Sequence, residues 1–234
     1  MDSIRNNLEI IRETIEKTCA QTGRDPAGVD IMAVTKQVPP EKIERAWELG
    51  IRYFGENRVQ ELLPKIETVQ RPIHWNMIGQ LQKNKVKYVI NTVSCIQSLD
   101  RISLAEELER QASKLGITVN VLVQVNIGKE DTKTGVAPEE TVLFIKTVSE
   151  KYGSLCIEGL MAIAPDVGEE KARPYFERMR RLFEEAGKLN LPRVHMRCLS
   201  MGMSGDYAAA VSEGATMVRL GSAIFGGRKQ QNPL

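Results

Sequence analysis

The feature that most limits how this chain can fold is a regular alternation of two kinds of segment. Short runs rich in apolar and β-branched residues recur at 31–35, 52–54, 74–78, 92–97, 119–125, 157–163, 194–199 and 217–220. Between several of them the apolar residues return every three or four positions: Ile43, Ala46 and Trp47; Ala105, Leu108, Ala112 and Leu115; Phe176, Met179, Phe183 and Ala186; Tyr207, Ala210 and Val211. The first pattern is that of strands and the second that of amphipathic helices. Strand, helix, strand is how parallel sheets are wired, because parallel neighbours need a crossover of a dozen or more residues. The run 119–125 is apolar or β-branched at most positions, which is how a strand covered on both faces reads.

About eight such strands predict a closed barrel over an open sheet. An open doubly wound sheet would carry a GxGxxG turn after an early strand, whereas the first strand here runs into Thr35-Lys36-Gln37. The 234 residues suit one (β/α)8 TIM-like barrel, which takes roughly 200–250. With no linker or internal repeat, residues 1–234 are expected to form a single domain. Ahead of the first strand, Ile4, Leu8, Ile11 and Ile15 make one helical stripe that stops at Gly23. This extra N-terminal helix is expected to pack against the barrel or plug its base.

Charge narrows the partners. Lys and Arg number 32 against 30 Asp and Glu, so the surface is nearly balanced and no nucleic acid is expected. Lys83, Lys85 and Lys87 alternate with Asn84 and Val86, without stacking aromatics, and read as a solvated face. Cys19, Cys95, Cys156 and Cys198 are scattered and show neither CxxC nor Cys/His ligand spacing, so four buried, reduced thiols are expected and no metal site. No stretch approaches the roughly 18 apolar residues of a membrane span, and a cytoplasmic location is expected.

The chemistry should sit where strands give way to helices, since that end of a barrel gathers the site. Lys36 follows the apolar run Ile31-Met32-Ala33-Val34. An amine held beside low-dielectric walls there is suited to condense with an aldehyde. Past the seventh strand comes Leu199-Ser200-Met201-Gly202-Met203-Ser204-Gly205-Asp206, and over the eighth Arg219-Leu220-Gly221-Ser222-Ala223-Ile224-Phe225-Gly226. Glycines, hydroxyls and helix-start amides in these loops can donate to phosphate, and the loops after strands 7 and 8 are where barrels usually bind it. A phosphate site adjacent in the ring to a strand-1 lysine is what a phosphorylated aldehyde cofactor requires. His74 and His195 read as structural histidines, and Met161 and Met201 as core filler.

These segments, with Phe54-Gly55-Glu56-Asn57, His74-Trp75-Asn76-Met77-Ile78-Gly79-Gln80-Leu81-Gln82-Lys83-Asn84-Lys85 and Gly159-Leu160-Met161-Ala162-Ile163, resemble the pyridoxal phosphate (PLP) homeostasis protein family nearly end to end. The resemblance implies a barrel like the N-terminal domain of alanine racemase (PLP fold type III), with PLP held as a Schiff base on Lys36. It implies phosphate contacts from Ser200, Gly221 and Ser222, Arg219 at the ring nitrogen, and Asn57 lining the cofactor, with Ser204 and Met203 nearby. A guanidinium donating to that nitrogen would disfavour its protonation and weaken the ring as an electron sink. The family is thought to buffer or deliver PLP to apo-enzymes and to affect amino-acid balance, without established catalysis, so no catalytic residue is expected. A monomer is expected.

Two other functions share Lys36. An amino-acid racemase needs acid/base groups on both faces of the substrate, and Lys36 serves one. Two-domain racemases of this fold take the second base, a tyrosine, from a following β domain. A cofactor-free Schiff-base aldolase would explain Lys36 but not the accompanying motifs.

Overall fold

The structure, a computed structural model, describes residues 2–130 and 132–227. Its strands are β1 (Asp30–Val34), β2 (Tyr53–Glu56), β3 (His74–Met77), β4 (Cys95–Leu99), β5 (Val119–Val125), β6 (Leu155–Ala162), β7 (Val194–Ser200) and β8 (Met217–Leu220). Every neighbouring pair is parallel and β8 returns to β1, closing the expected barrel in sequence order. The helices are α1 (Ser3–Thr22), α2 (Pro40–Glu48), α3 (Val59–Thr68), α4 (Val86–Val89), α5 (Ile102–Leu115), α6 (Thr141–Lys151), α7 (Glu169–Gly187), α8 (Tyr207–Ser212) and α9 (Ser222–Phe225).

Two apolar layers follow from the strand periodicity. Outward residues such as Phe54, Ile96, Val121, Val123 and Leu160 join the helices in one large buried cluster. Met32, Leu122, Met161 and Met217 are buried without belonging to that cluster and occupy the barrel interior. Met201, by contrast, belongs to the outer core.

Helix α1 does not plug the base. Its stripe of Ile4, Leu8, Ile11 and Ile15 is buried, and the helix packs chiefly on α8 and α9, over the seam where β8 meets β1. Asn7 donates from Nδ2 to the carbonyl of Ile224 at 2.9 Å, tying the helix to α9. Asp2 caps the N-terminus by accepting from the Arg5 amide, and left-handed Gly23 (φ 67) ends the helix.

The fourth strand begins later than the apolar run suggests. Thr92 donates its hydroxyl to the carbonyl of Val89, and Thr92 and Val93 send their amides back to that same carbonyl, so both residues close α4. Strand β4 starts at Cys95. All four cysteines are free, but only Cys19 and Cys156 are buried; Cys95 and Cys198 are partly exposed because they line a cavity at the amino-terminal mouth. No described helix is long and apolar enough to cross a membrane.

Candidate cofactor site

At the carboxyl end of β1, Thr35 is fully buried; its amide donates to the Gly55 carbonyl at 3.0 Å and its hydroxyl to Glu56 Oε1 at 2.7 Å. Lys36 follows, half-buried, and the chain turns sharply: Gln37 takes φ 59 and its amide donates to Glu61 Oε2 at 3.0 Å. A left-handed non-glycine residue costs roughly 1 kcal/mol or more. Strand pairing on one side and Glu61 on the other hold Lys36 at the strand exit despite that cost.

The cation beside Glu56 is Lys65 of α3, not Lys36. Glu56 is wholly buried and paired with Lys65 Nζ, which also donates to the Thr35 carbonyl at 2.6 Å. The other Glu56 oxygen, Oε2, accepts from the Asn57 amide at 3.1 Å. One buried carboxylate thus ties together the exits of β1 and β2, and with them Lys36 and Asn57. Asn57 itself is exposed at the rim. A Cβ on Gly79 would stand 2.1 Å from the Asn57 carbonyl oxygen, so only glycine lets these two backbones pass. Gly79→Ala is expected to lower stability by about 2 kcal/mol, or roughly 4–8 °C in Tm, and to weaken ligand binding at the rim. A thermal melt matching the parent protein would show that the loop yields freely.

Across the seam, Gly221 lies against Val34: a Cβ there would be 3.5 Å from the Val34 carbonyl oxygen. The loop opening α9 is therefore beside the strand that ends in Lys36. Ser204, from the loop after β7, accepts from the Ala223 amide at 3.1 Å and joins the two loops expected to hold phosphate. Ser222 is exposed at the start of α9. Met203 is exposed as well, its amide donating to Asp206 Oδ1 at 2.6 Å.

Arg219 and Ser200 meet inside the barrel. Arg219 donates to Ser200 Oγ and to the Ala162 carbonyl, both at 2.8 Å. Ser200 in turn donates to Gln97 Oε1 at 2.8 Å, and Gln97 Nε2 donates to Asn76 Oδ1 at 3.1 Å and towards Met217 Sδ at 3.4 Å. Burial pushes the Arg219 guanidinium down to about 10, with Asp206 and Cys198 opposing. It stays protonated near neutral pH. Burial likewise raises the Asp206 carboxyl. Ser200 has one proton, given to Gln97; serving a phosphate would require it to leave that partner.

Of the residues singled out by sequence, Arg219 and Ser200 are in contact, and Gly221 lies against the strand that leads to Lys36. Asn57 sits on the neighbouring strand exit. Glu56, Lys65, Gln97 and Asn76 build the site without a sequence signal for that role; Lys65 lies in the middle of α3, across a loop from Glu56, with no local spacing to announce the pair. His74 lies at the other end of the barrel, exposed and stacked on Tyr53 at 5.3 Å, and His195 is exposed near the start of β7.

The family of the alanine racemase N-terminal domain matches residues 1–229. The pyridoxal phosphate homeostasis protein of Aquifex aeolicus is 41% identical over 225 residues, covering 95% of this chain and 97% of the relative. PipY of Synechococcus elongatus, solved with PLP bound, superposes with a TM-score of 0.77 at 33% identity over 91% of this chain and 100% of that one. Alanine racemase of Corynebacterium glutamicum shares the fold, with a TM-score of 0.71 at 14% identity over 100% of this chain and 63% of its own. The chain belongs to the alanine racemase N-terminal-domain family, among its pyridoxal phosphate homeostasis proteins.

Proposed function

We propose that this chain binds PLP as a Schiff base on Lys36 and serves PLP homeostasis in the cytoplasm, holding the cofactor and yielding it to apo-enzymes, as a monomer and without efficient catalysis. The observation that carries this reading is the junction of the Lys36 strand with the Gly221-Ser222 loop, above a buried guanidinium. When bound, PLP supplies an aldehyde that condenses with an amine. The chain's own residues do the rest. Lys36 offers the amine. Gly221, Ser222 and Ser204 line the two joined loops where a phosphate fits. Arg219, fixed by Ser200 and the Ala162 carbonyl, presents a cation that disfavours protonation of a ring nitrogen near it. Asn57 stands at the rim, where it can contact the ring.

The test is absorbance after adding PLP to the protein, then borohydride reduction and peptide mapping. A pyridoxyl group on Lys36 supports the reading; no band and no label would remove it. Racemase assays then separate holder from enzyme. Tyr53 cannot supply the second base, because it faces the amino-terminal mouth beside His74, and Tyr88, on α4, has its ring under the ammonium groups of Lys85 and Lys87. A racemisation rate within the ordinary enzymatic range, about 1 s⁻¹ or above, would overturn the holder reading.

Arg219→Glu is expected to favour a protonated ring nitrogen, shifting the visible band and raising side reactions with amino acids. An unaltered spectrum in a folded variant would mean that Arg219 does not touch the ring.

A further inference from the structure

Opposite the cofactor site, the amino-terminal mouth of the barrel opens into a cavity of about 520 Å3 lined by Asp30, Cys95, Glu158, Arg197 and Cys198 among others. Cys156 and Glu158 lie two apart on β6, and the pairing of Ile157 with Val194 brings His195 of β7 beside them. Donor atoms of Cys156, Glu158 and His195 all lie within 4.8 Å of one another. The ladder slips register between Ile157 and Gly159, and such an irregularity re-aims side chains.

We propose that Cys156, Glu158 and His195 form a binding site for one thiophilic divalent cation of the zinc class. A thiolate, an imidazole and a carboxylate together favour zinc or cobalt over magnesium or calcium, which prefer all-oxygen sets. Ligand distances of about 2.0–2.3 Å make the edges of a tetrahedral zinc site about 3.3–3.7 Å long. The Cys156 thiol donates to Glu158 Oε1 at 3.1 Å, so the two donor atoms stand close to one such edge apart, and a cation binding there displaces the thiol proton to water. His195 is exposed, so its ring has room to turn towards the other two donors. The other carboxylate oxygen, Oε2, faces Arg197 at 3.9 Å, which leaves Oε1 to the cation and orients the group from behind. Three protein donors leave a fourth position for water from the cavity. No local ligand motif announces the site, because two adjacent strands assemble it. A cation there would fasten β6 to β7 where their ladder slips, at the end of the barrel away from Lys36.

The test is a cobalt titration of the full chain stripped of PLP, since PLP itself absorbs in the visible and chelates cations. One equivalent should bind with a Kd of about 10 μM or tighter, giving intense tetrahedral bands and a thiolate-to-cobalt charge-transfer band. Cys156→Ser should remove the charge-transfer band, and His195→Ala, at an exposed position, should weaken binding about tenfold or more. Zinc in large excess over its Kd should raise Tm by roughly 5–10 °C in the parent protein and not in Cys156→Ser. Absence of a charge-transfer band, or one that persists unchanged in Cys156→Ser, overturns the proposal; the second result would put the cation on another thiol.

Discussion

Lys36→Ala is expected to abolish the visible absorbance and borohydride labelling while leaving weak PLP binding, with affinity falling about 100-fold, or roughly 2.7 kcal/mol. On the proposed site the residual affinity would come from the parts that this substitution leaves alone, the Gly221-Ser222 loop and the Arg219 guanidinium held by Ser200. Circular dichroism separates this outcome from unfolding, and equilibrium dialysis then reads the residual affinity. Should the parent spectrum persist in Lys36→Ala, another amine carries the cofactor. Lys65 would be the first to examine, since it sits on the same strand exit through the Thr35 carbonyl.

The second large effect concerns that neighbour. Glu56→Ala is expected to destabilise the fold by about 3–5 kcal/mol, because removing one partner leaves a nearly buried ammonium without its counter-charge. For a chain of this length that is roughly 6–20 °C in Tm. The Glu56→Gln/Lys65→Met double variant should recover much of the loss, since replacing both charges removes the desolvation penalty with the attraction. If Glu56→Ala melts within about 2 °C of the parent, the pair contributes little and the strand exits are held by backbone pairing. Glu56 also receives the Asn57 amide and the Thr35 hydroxyl, so PLP affinity should fall in the single variant although Lys36 is intact.

These residues also show how far the sequence could be read. The barrel was legible because eight strands covered on both faces leave apolar runs, and Lys36 was legible because it ends one of them. Helix α6, TVLFIKTVSEK, is not legible: its threonines, valines and isoleucine favour strands intrinsically, and packing against the barrel makes it helical. Helix α3 carries Pro64 inside it, which obscures its period. The Glu56–Lys65 pair and the chain from Arg219 through Ser200 to Gln97 and Asn76 depend on which strands adjoin and which side chains point inward. Registers of closed sheets are tertiary facts, and no local pattern in the chain records them. The position of α1 was open for the same reason: its stripe shows that it is covered, not by what.

That placement has a consequence for how the protein is made. The apolar stripe of α1 leaves the ribosome ahead of the barrel, and the helices that cover it, α8 and α9, emerge roughly 200 residues later. At about 5–20 residues per second, Ile4, Leu8, Ile11 and Ile15 stay uncovered for roughly 10–40 s of each round of synthesis. The seam between β8 and β1 cannot form in that interval either. Slower translation should therefore lengthen the time in which a chaperone, or another chain, can capture the uncovered stripe.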